Sequence, residues 1–364
     1  MLRFRRVLLS IAAALAGCGM PLERYSEVED LRVLAMRTTP PEIFVDPQDP
    51  NAERTITFEA LVVDPRGEPV SFQWRFCPIE ADFGCSRYEQ ARAEVDDPAL
   101  RDSLDALYET TDSGNATPQQ SELTPRQLQP YTVPSFSVTP PLPLFVYHAQ
   151  TSVFGALQGA WPAAVLTLEA PNEPEPLIAQ KRVVLNVRDP AAFAEPIAEE
   201  FGFDLCPTDQ PPEDDEDCIR LPVREANRNP VFKRLEVAYT DAADADFEPV
   251  EQMPLEVEAD AAIRLRPVFT EQSYEPYKQL QADLESRDIE ITDKVEEISV
   301  SWFVSSGRVQ DELTWPKFTK TLDTVYRAPE APPAETDGRA RVWLVAQDQR
   351  GGASWRRLDL QINP

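Results

Sequence analysis

Cys18 stands behind Leu15-Ala16-Gly17, a short apolar run (Val7 to Leu15) and a basic start at Arg3, Arg5 and Arg6. Ala16 and Gly17 are small enough for a peptidase to reach the backbone, and the thiol that follows can accept a lipid. The other four cysteines fall into two close pairs, Cys77/Cys85 and Cys206/Cys218. In an oxidising compartment each pair can close a small loop, contributing about 2–3 kcal/mol by restricting the unfolded chain. Neither pair has C-x-x-C spacing and no histidine lies near either, so two local disulfides are expected rather than zinc or thioredoxin-like redox chemistry.

Other reactive constellations are sparse. The single histidine, His148 in Phe145-Val146-Tyr147-His148, would have to serve any Ser-His-Asp or Cys-His machine. It has apolar neighbours, and the chain has no G-x-S-x-G, no G-x-x-x-x-G-K-[ST] and no G-x-G-x-x-G. One imidazole cannot build a histidine metal site. Between Cys206 and Cys218 lie Asp209, Glu213, Asp214, Asp215, Glu216 and Asp217. Their hard oxygens suit calcium, but the alternating order of an EF-hand loop is missing, and a solvated loop stapled at its base is expected. Asp241, Asp244 and Asp246 read as a loop between strands. No catalytic residue, cofactor or metal ligand is expected. A carboxylate-dependent hydrolase would need two acids converging at about 5–10 Å.

Charge narrows the partners. The formal net charge is −28, and loss of the three leader arginines makes the mature chain more negative still. Acids dispersed along the whole chain repel nucleic acid and anionic headgroups, so no nucleic-acid partner is expected. No segment after Cys18 is long and apolar enough to span a bilayer. Membrane attachment would rest on the acyl chains, at about 0.8 kcal/mol per buried methylene.

The elements that must carry these residues read as extended. After a leader (1–17) and a polar tether (18–29), a first domain spans 30–190 with an insertion at 78–159. An acidic, disulfide-closed connector (191–228) follows, then a second domain (229–364). In the first domain, Leu31 to Met36, Thr55 to Val63 and Val70 to Phe76 read as strands, the last two as a hairpin across Asp64-Pro65-Arg66-Gly67. Asp97-Pro98 begins a helix to Glu109 with Leu100, Leu104 and Leu107 on one face. Thr111 to Gln129 reads as loop. Tyr131 to Val138, Ala164 to Glu169 and Ile178 to Val187 return to strand. In the second domain, strands are expected at Val231 to Ala238, Leu255 to Glu258, Ala262 to Phe269 and Ile298 to Val304. A helical excursion is expected over 271–288. Ala340 to Ala346 and Trp355 to Ile362 flank the Asp348-Gln349-Arg350-Gly351-Gly352 turn. Trp74 and Trp302 sit inside alternating strands and read as core anchors rather than sugar platforms. The fold class is all-β: two Ig-like β-sandwich domains in tandem, the first with a long, partly helical insertion.

Several of these stretches resemble known groups. Leu15-Ala16-Gly17-Cys18 resembles the bacterial lipoprotein signal, which implies cleavage before Cys18 and acylation of that residue. Asp64 to Trp74 is similar to the B-to-C strand region of PKD-type and bacterial Ig-like modules. Val342 to Asp348 with Gly351-Gly352 is similar to their F-to-G hairpin. Trp74-Arg75-Phe76-Cys77 with Cys85, and Asn227-Arg228-Asn229-Pro230, resemble surface lipoproteins of myxobacteria and related deltaproteobacteria. The resemblance implies a sandwich fold and the cell envelope, and Gly19 after the lipidated cysteine implies the outer membrane. The expected role is a non-enzymatic structural or interaction one, held to the membrane by a lipid at Cys18 and facing an envelope protein or polysaccharide. The alternatives are a carbohydrate or cell-surface adhesin that uses the insertion and its aromatics Tyr131, Phe136 and Tyr147, or the carboxylate hydrolase.

Overall fold

The computed structural model describes residues 25–45, 55–67, 69–78, 85, 88–93, 95–109, 111–118, 130–140, 159–187, 204–205, 218–219, 224–283 and 288–364. The leader, Cys18, His148, Tyr147, Cys206 and the acidic stretch 207–217 lie outside the described residues, as do 119–129 of the expected loop.

The N-terminal half contains β1 (Arg32–Thr39), β2 (Glu42–Val45), β3 (Ile56–Val63), β4 (Val70–Cys77), α1 (Tyr88–Ala93), α2 (Pro98–Tyr108), β5 (Thr111–Pro118), β6 (Pro130–Thr132), β7 (Phe136–Val138), β8 (Ala163–Glu169), β9 (Leu177–Arg182) and β10 (Val184–Val187). Eight of them form one continuous sheet in the order β1-β3-β6-β5-β4-β8-β9, with β7 also on β3. The sheet folds over on itself, so that Phe58 of β3 meets Trp74 and Phe76 of β4 at ring distances of 6.5 and 6.2 Å. The expected hairpin of β3 with β4 is therefore corrected. β3 pairs with β1, β6 and β7, whereas β4 pairs with β5 and β8. The turn between them, where the Asp64 carboxylate accepts the Arg66 amide at 3.0 Å and Gly67 takes φ 69°, carries the chain across the core instead.

Helix α2 matches its sequence signals. Asp97 caps it, accepting the Ala99 amide at 2.9 Å, with Pro98 in the first turn, while Leu104 and Leu107 are buried on the core. Thr111–Pro118, expected as loop, is strand β5. The exposed polar side chains of Thr111, Asp112 and Ser113 hid a pairing made by the backbone. Gly114 opposite Phe72 leaves room for that ring, which a Cβ would approach to 3.2 Å. Strand β2, unsuspected in the sequence, pairs in parallel with β10. A second short parallel pair joins β11 (Asp204–Leu205) to β12 (Cys218–Ile219).

The C-terminal half contains β13 (Phe232–Ala238), β14 (Glu248–Pro249), β15 (Leu255–Glu258), β16 (Ala262–Phe269), β17 (Pro276–Asp283), β18 (Asp288–Val295), β19 (Ser299–Val304), β20 (Arg308–Val309), β21 (Leu313–Thr314), α3 (Pro316–Thr319), β22 (Thr324–Arg327), β23 (Arg339–Gln347) and β24 (Ala353–Asn363). Two five-stranded sheets, β14-β13-β16-β22-β20 and β15-β24-β23-β19-β21, enclose one core in a sandwich-like arrangement. Trp302 anchors that core, its Nε1 donating to Thr314 Oγ1 at 2.9 Å; Trp74 anchors the other, donating to the Pro134 carbonyl at 3.0 Å. Both are wholly buried, so core packing and not sugar stacking is their role. The β23–β24 hairpin forms as expected. The helical excursion does not. Residues 271–273 make one short 3-10 turn, and β17 and β18 then form an antiparallel ribbon in which Leu280 pairs with Ile291. Ile289-Glu290-Ile291-Thr292 alternates with β-branched residues, which favours the ladder over a helix.

A third apolar cluster joins the halves. Leu34 and Ala35 of β1 and Leu61 and Val63 of β3 pack with Phe303, Trp343 and Val345, flanked by Trp355. Thus β23 is buried on both faces: Val342 and Leu344 enter the C-terminal core, while Trp343 and Val345 enter the seam. Val28 also joins the seam, and its amide donates to the Val304 carbonyl at 2.9 Å. The last part of the expected free tether, Tyr25 to Glu29, is therefore packed onto β19.

Candidate functional site

Beside the dry seam lies a cluster of buried ionisable groups, and the β23–β24 turn organises it. The Asp348 carboxylate folds back over its own turn, with Oδ1 accepting the amides of Arg350 at 2.8 Å and Gly352 at 2.7 Å. Gly351 takes φ 95°, and a Cβ on Gly352 would strike the Asp348 carboxylate and come within 2.9 Å of the Arg228 carbonyl. This tight turn projects Arg350 into the gap between the halves.

The Arg350 guanidinium is the hub. One nitrogen donates to Glu42 Oε2 at 2.7 Å and to the Glu225 carbonyl at 2.7 Å; the other donates to Glu296 Oε1 at 3.1 Å. Tyr277 of β17 lies under it, 5.1 Å from guanidinium carbon to ring centre. Glu42 is held by β2, and it also accepts Asn186 Nδ2 of β10 at 3.2 Å and the Asn227 amide at 2.9 Å. Asn227 Nδ2 reaches Asp348 at 3.3 Å, and Arg224 donates to Asn186 Oδ1. Lys181 Nζ donates to the Gly351 carbonyl at 2.7 Å. Asn229 bridges the two halves, donating to the Thr38 carbonyl and accepting the Ala353 amide, each at 2.8 Å.

Burial sets the protonation of this cluster. Loss of solvent pushes the Glu296 carboxyl up to about 7, with the Asp348 charge adding to the rise and Arg350 opposing it. Asp348 is also raised by burial, against the amides and Asn227 that stabilise its anion. Lys181 and Arg224 are lowered by the same desolvation, and Asp348 and Glu42 respectively counter it. Chemically, Glu296 holds its proton towards neutral pH, and the cluster cross-links β2, β10, the 224–229 segment and the β23–β24 turn. Glu42 and Glu296 converge, but on a shared guanidinium. Among the described residues no group of three or more His, Cys, Asp or Glu is placed to hold a metal.

The residues singled out in the sequence lie elsewhere. Cys77 and Cys85 form a disulfide, with Cα atoms 5.7 Å apart. Cys218 starts β12, and its expected partner Cys206 lies outside the described residues. Asp241, Asp244 and Asp246 are exposed in the loop between β13 and β14. Phe136 is not an exposed aromatic: it is buried and stacked on Trp74 at 5.9 Å. On the outer face of the β5-β4-β8 sheet, Ser71, Gln73, Ser113, Thr167 and Glu169 line a groove of about 370 Å³. Sequence reasoning missed Glu42 and Glu296 altogether, and gave Arg350 no role beyond its turn. Asp348 to Gly352 carried a turn signal only, and nothing in it points to a buried partner.

No family model matches the chain, and no curated protein matches it. Among solved structures, the chain is similar to the crystal structure of Rst D1-D2, at TM-score 0.18 and 9% identity over 92% of this chain and 99% of that one. It is also similar to dimeric latent PorU from Porphyromonas gingivalis, at TM-score 0.19 and 8% identity over 93% of this chain and 24% of that one. The chain thus spans about a quarter of PorU's length. Neither likeness is close enough to inform the role of this chain.

Proposed function

We propose that this protein is a lipid-anchored component of a bacterial cell envelope, built from two Ig-like modules and serving a non-enzymatic structural or interaction role. The observation that carries the reading is how the buried ionisable groups are used. Arg350, Glu42, Glu296 and Asp348 are spent on each other and on backbone groups from both halves, which makes a rigid two-body unit rather than an open reaction centre. The Leu15-Ala16-Gly17-Cys18 signal supplies the anchor, acylated at Cys18, with the outer membrane as its destination. The Cys77–Cys85 disulfide fits an oxidising compartment. No described helix is long and apolar enough to cross a membrane, so attachment in this reading rests on the acyl chains.

Mass spectrometry of the protein from its native envelope tests the anchor: an acylated Cys18 at the mature N-terminus is expected, and an unmodified cysteine in the cytosolic fraction would end the reading. Proximity labelling in the same envelope tests the role and should recover one consistent neighbour. A second reading, adhesion to carbohydrate, draws on the polar groove of Ser71, Gln73, Ser113, Thr167 and Glu169, part of which the insertion supplies through β5. Its hydroxyls, amide and carboxylate can hydrogen-bond sugar hydroxyls. Polysaccharide retention by the intact chain that is lost in Gln73→Ala would support that reading, and equal retention would remove it.

A further inference from the structure

We propose that the edge of the C-terminal half formed by Tyr25, Leu313, Trp315 and Phe318 is a bilayer-contacting surface; this rests on the anchor reading above and adds which face of the protein meets the membrane. Three of these side chains are mostly exposed, Tyr25 at 66%, Leu313 at 51% and Phe318 at 71%. The aromatics are held firmly. Phe318 packs edge-on to Trp315 at 4.9 Å. Thr319 Oγ1 accepts the Trp315 amide at 3.0 Å and donates to its carbonyl at 2.9 Å, and Lys320 ends the turn at φ 66°. Trp315 keeps a polar handle, its Nε1 donating to Glu297 at 2.8 Å. An apolar body with one wet edge is what the headgroup boundary of a bilayer selects.

Charge and chain path point to the same occupant. Residues 313–321 carry Lys317 and Lys320 and no carboxylate, in a chain with 63 acids against 35 bases. Lys317 Nζ lies 5.4 Å from the Trp315 ring centre. Lys317 and Lys320 here offset Glu297 and Glu312, which border the patch, so its local charge is balanced where the rest of the chain is strongly acidic and repels phosphate headgroups. The tether arrives at the same place: Ser26 Oγ donates to Glu312 at 2.8 Å, next to Leu313, and the Val304 amide donates to the Ser26 carbonyl at 2.8 Å. The tether runs parallel to β19, whereas β21 runs antiparallel to it. Passing back from Val28 to Tyr25 therefore leads towards the end of β19 from which Trp315 emerges. Cys18 precedes Tyr25 by seven positions, a fully extended reach of roughly 25 Å. Acyl chains on Cys18 hold the bilayer within that distance of this edge.

The test reconstitutes the full protein into vesicles of phosphatidylethanolamine with a minority of phosphatidylglycerol, and reads acylation of Cys18 by mass spectrometry on the same sample. Phe318→Trp adds an indole at the exposed tip, with the wild-type emission subtracted as background. On vesicles the added emission should shift to the blue and be quenched by brominated acyl chains. Amides 317–320 should gain hydrogen-exchange protection that Phe318→Ser abolishes. Acylated, vesicle-bound protein whose added indole still emits as in water would overturn the inference and leave the anchor reading standing. A blue shift that grows with protein concentration without lipid would assign the patch to a second copy and overturn it as well. An unacylated Cys18 removes the premise and both readings fall.

Discussion

The junction between the two halves has a dry side and a charged side, and they differ in what they contribute. On the dry side Leu34, Ala35, Leu61 and Val63 meet Phe303, Trp343 and Val345, and burial of apolar surface is the main attraction. The buried Arg341 guanidinium, paired to Asp359, lies 5.8 Å from the Trp343 ring. On the charged side Glu42, Glu296, Asp348 and Arg350 give back in desolvation much of what they gain from each other. Apolar contact tolerates sliding, but a guanidinium shared by two carboxylates holds at one relative placement. The dry side thus supplies adhesion and the charged side supplies register and a dependence on pH.

Four measurements put this contrast at risk. Trp343→Ala should have the largest effect, a loss of about 3–5 kcal/mol in denaturant unfolding, because it empties the middle of the dry seam. A loss below about 1 kcal/mol, the size of an ordinary surface change, would mean the seam does not hold the halves together. Arg350→Ala should cost about 3 kcal/mol, since Glu42 and Glu296 stay buried without their shared cation. Unlike the tryptophan variant, it should also loosen the relative placement of the halves, which small-angle scattering would detect.

The third measurement is the pH dependence of stability. Folded protein keeps the Glu296 proton up to about 7, whereas an unperturbed glutamate releases it near 4.5. Between these values the folded state binds more protons than the unfolded one, so this group makes stability fall as pH rises. Its penalty is absent below 4.5 and complete above about 7. The size is bounded by about 3 kcal/mol, and Glu296→Gln should flatten the slope across that window. An unchanged slope would remove Glu296 as its source. The smallest effect is a control: Asp97→Ala strips the cap of α2, which bonds to neither side, and should cost about 1 kcal/mol without altering the pH slope.

Much of the fold was legible. The Asp97 cap, the Asp64 turn, the β23–β24 hairpin and the anchors Trp74 and Trp302 all follow from local chemistry, because capping, turn formation and alternation act over a few residues. The failures differ in cause. Thr111–Pro118 is a strand through partners that lie far off in sequence, and its own composition is too polar to show it; in the β17–β18 ribbon the alternation at Ile289 to Thr292 was present but went unread. Phe136 reads as an exposed aromatic until Trp74 is placed beside it.

Local patterns along the chain suffice to establish that it is strand-rich, strongly acidic and able to close Cys77 on Cys85. They also held one unread sign of the junction, since Val342-Trp343-Leu344-Val345-Ala346 is apolar without a break, as a strand buried on both faces must be. What covers that second face, and which acids lose their water, came from long-range packing alone. The physical reason is that desolvation and ion pairing depend on surfaces brought together from distant parts of the chain. Glu42 and Arg350 are 308 positions apart, and no local pattern can foretell that they meet.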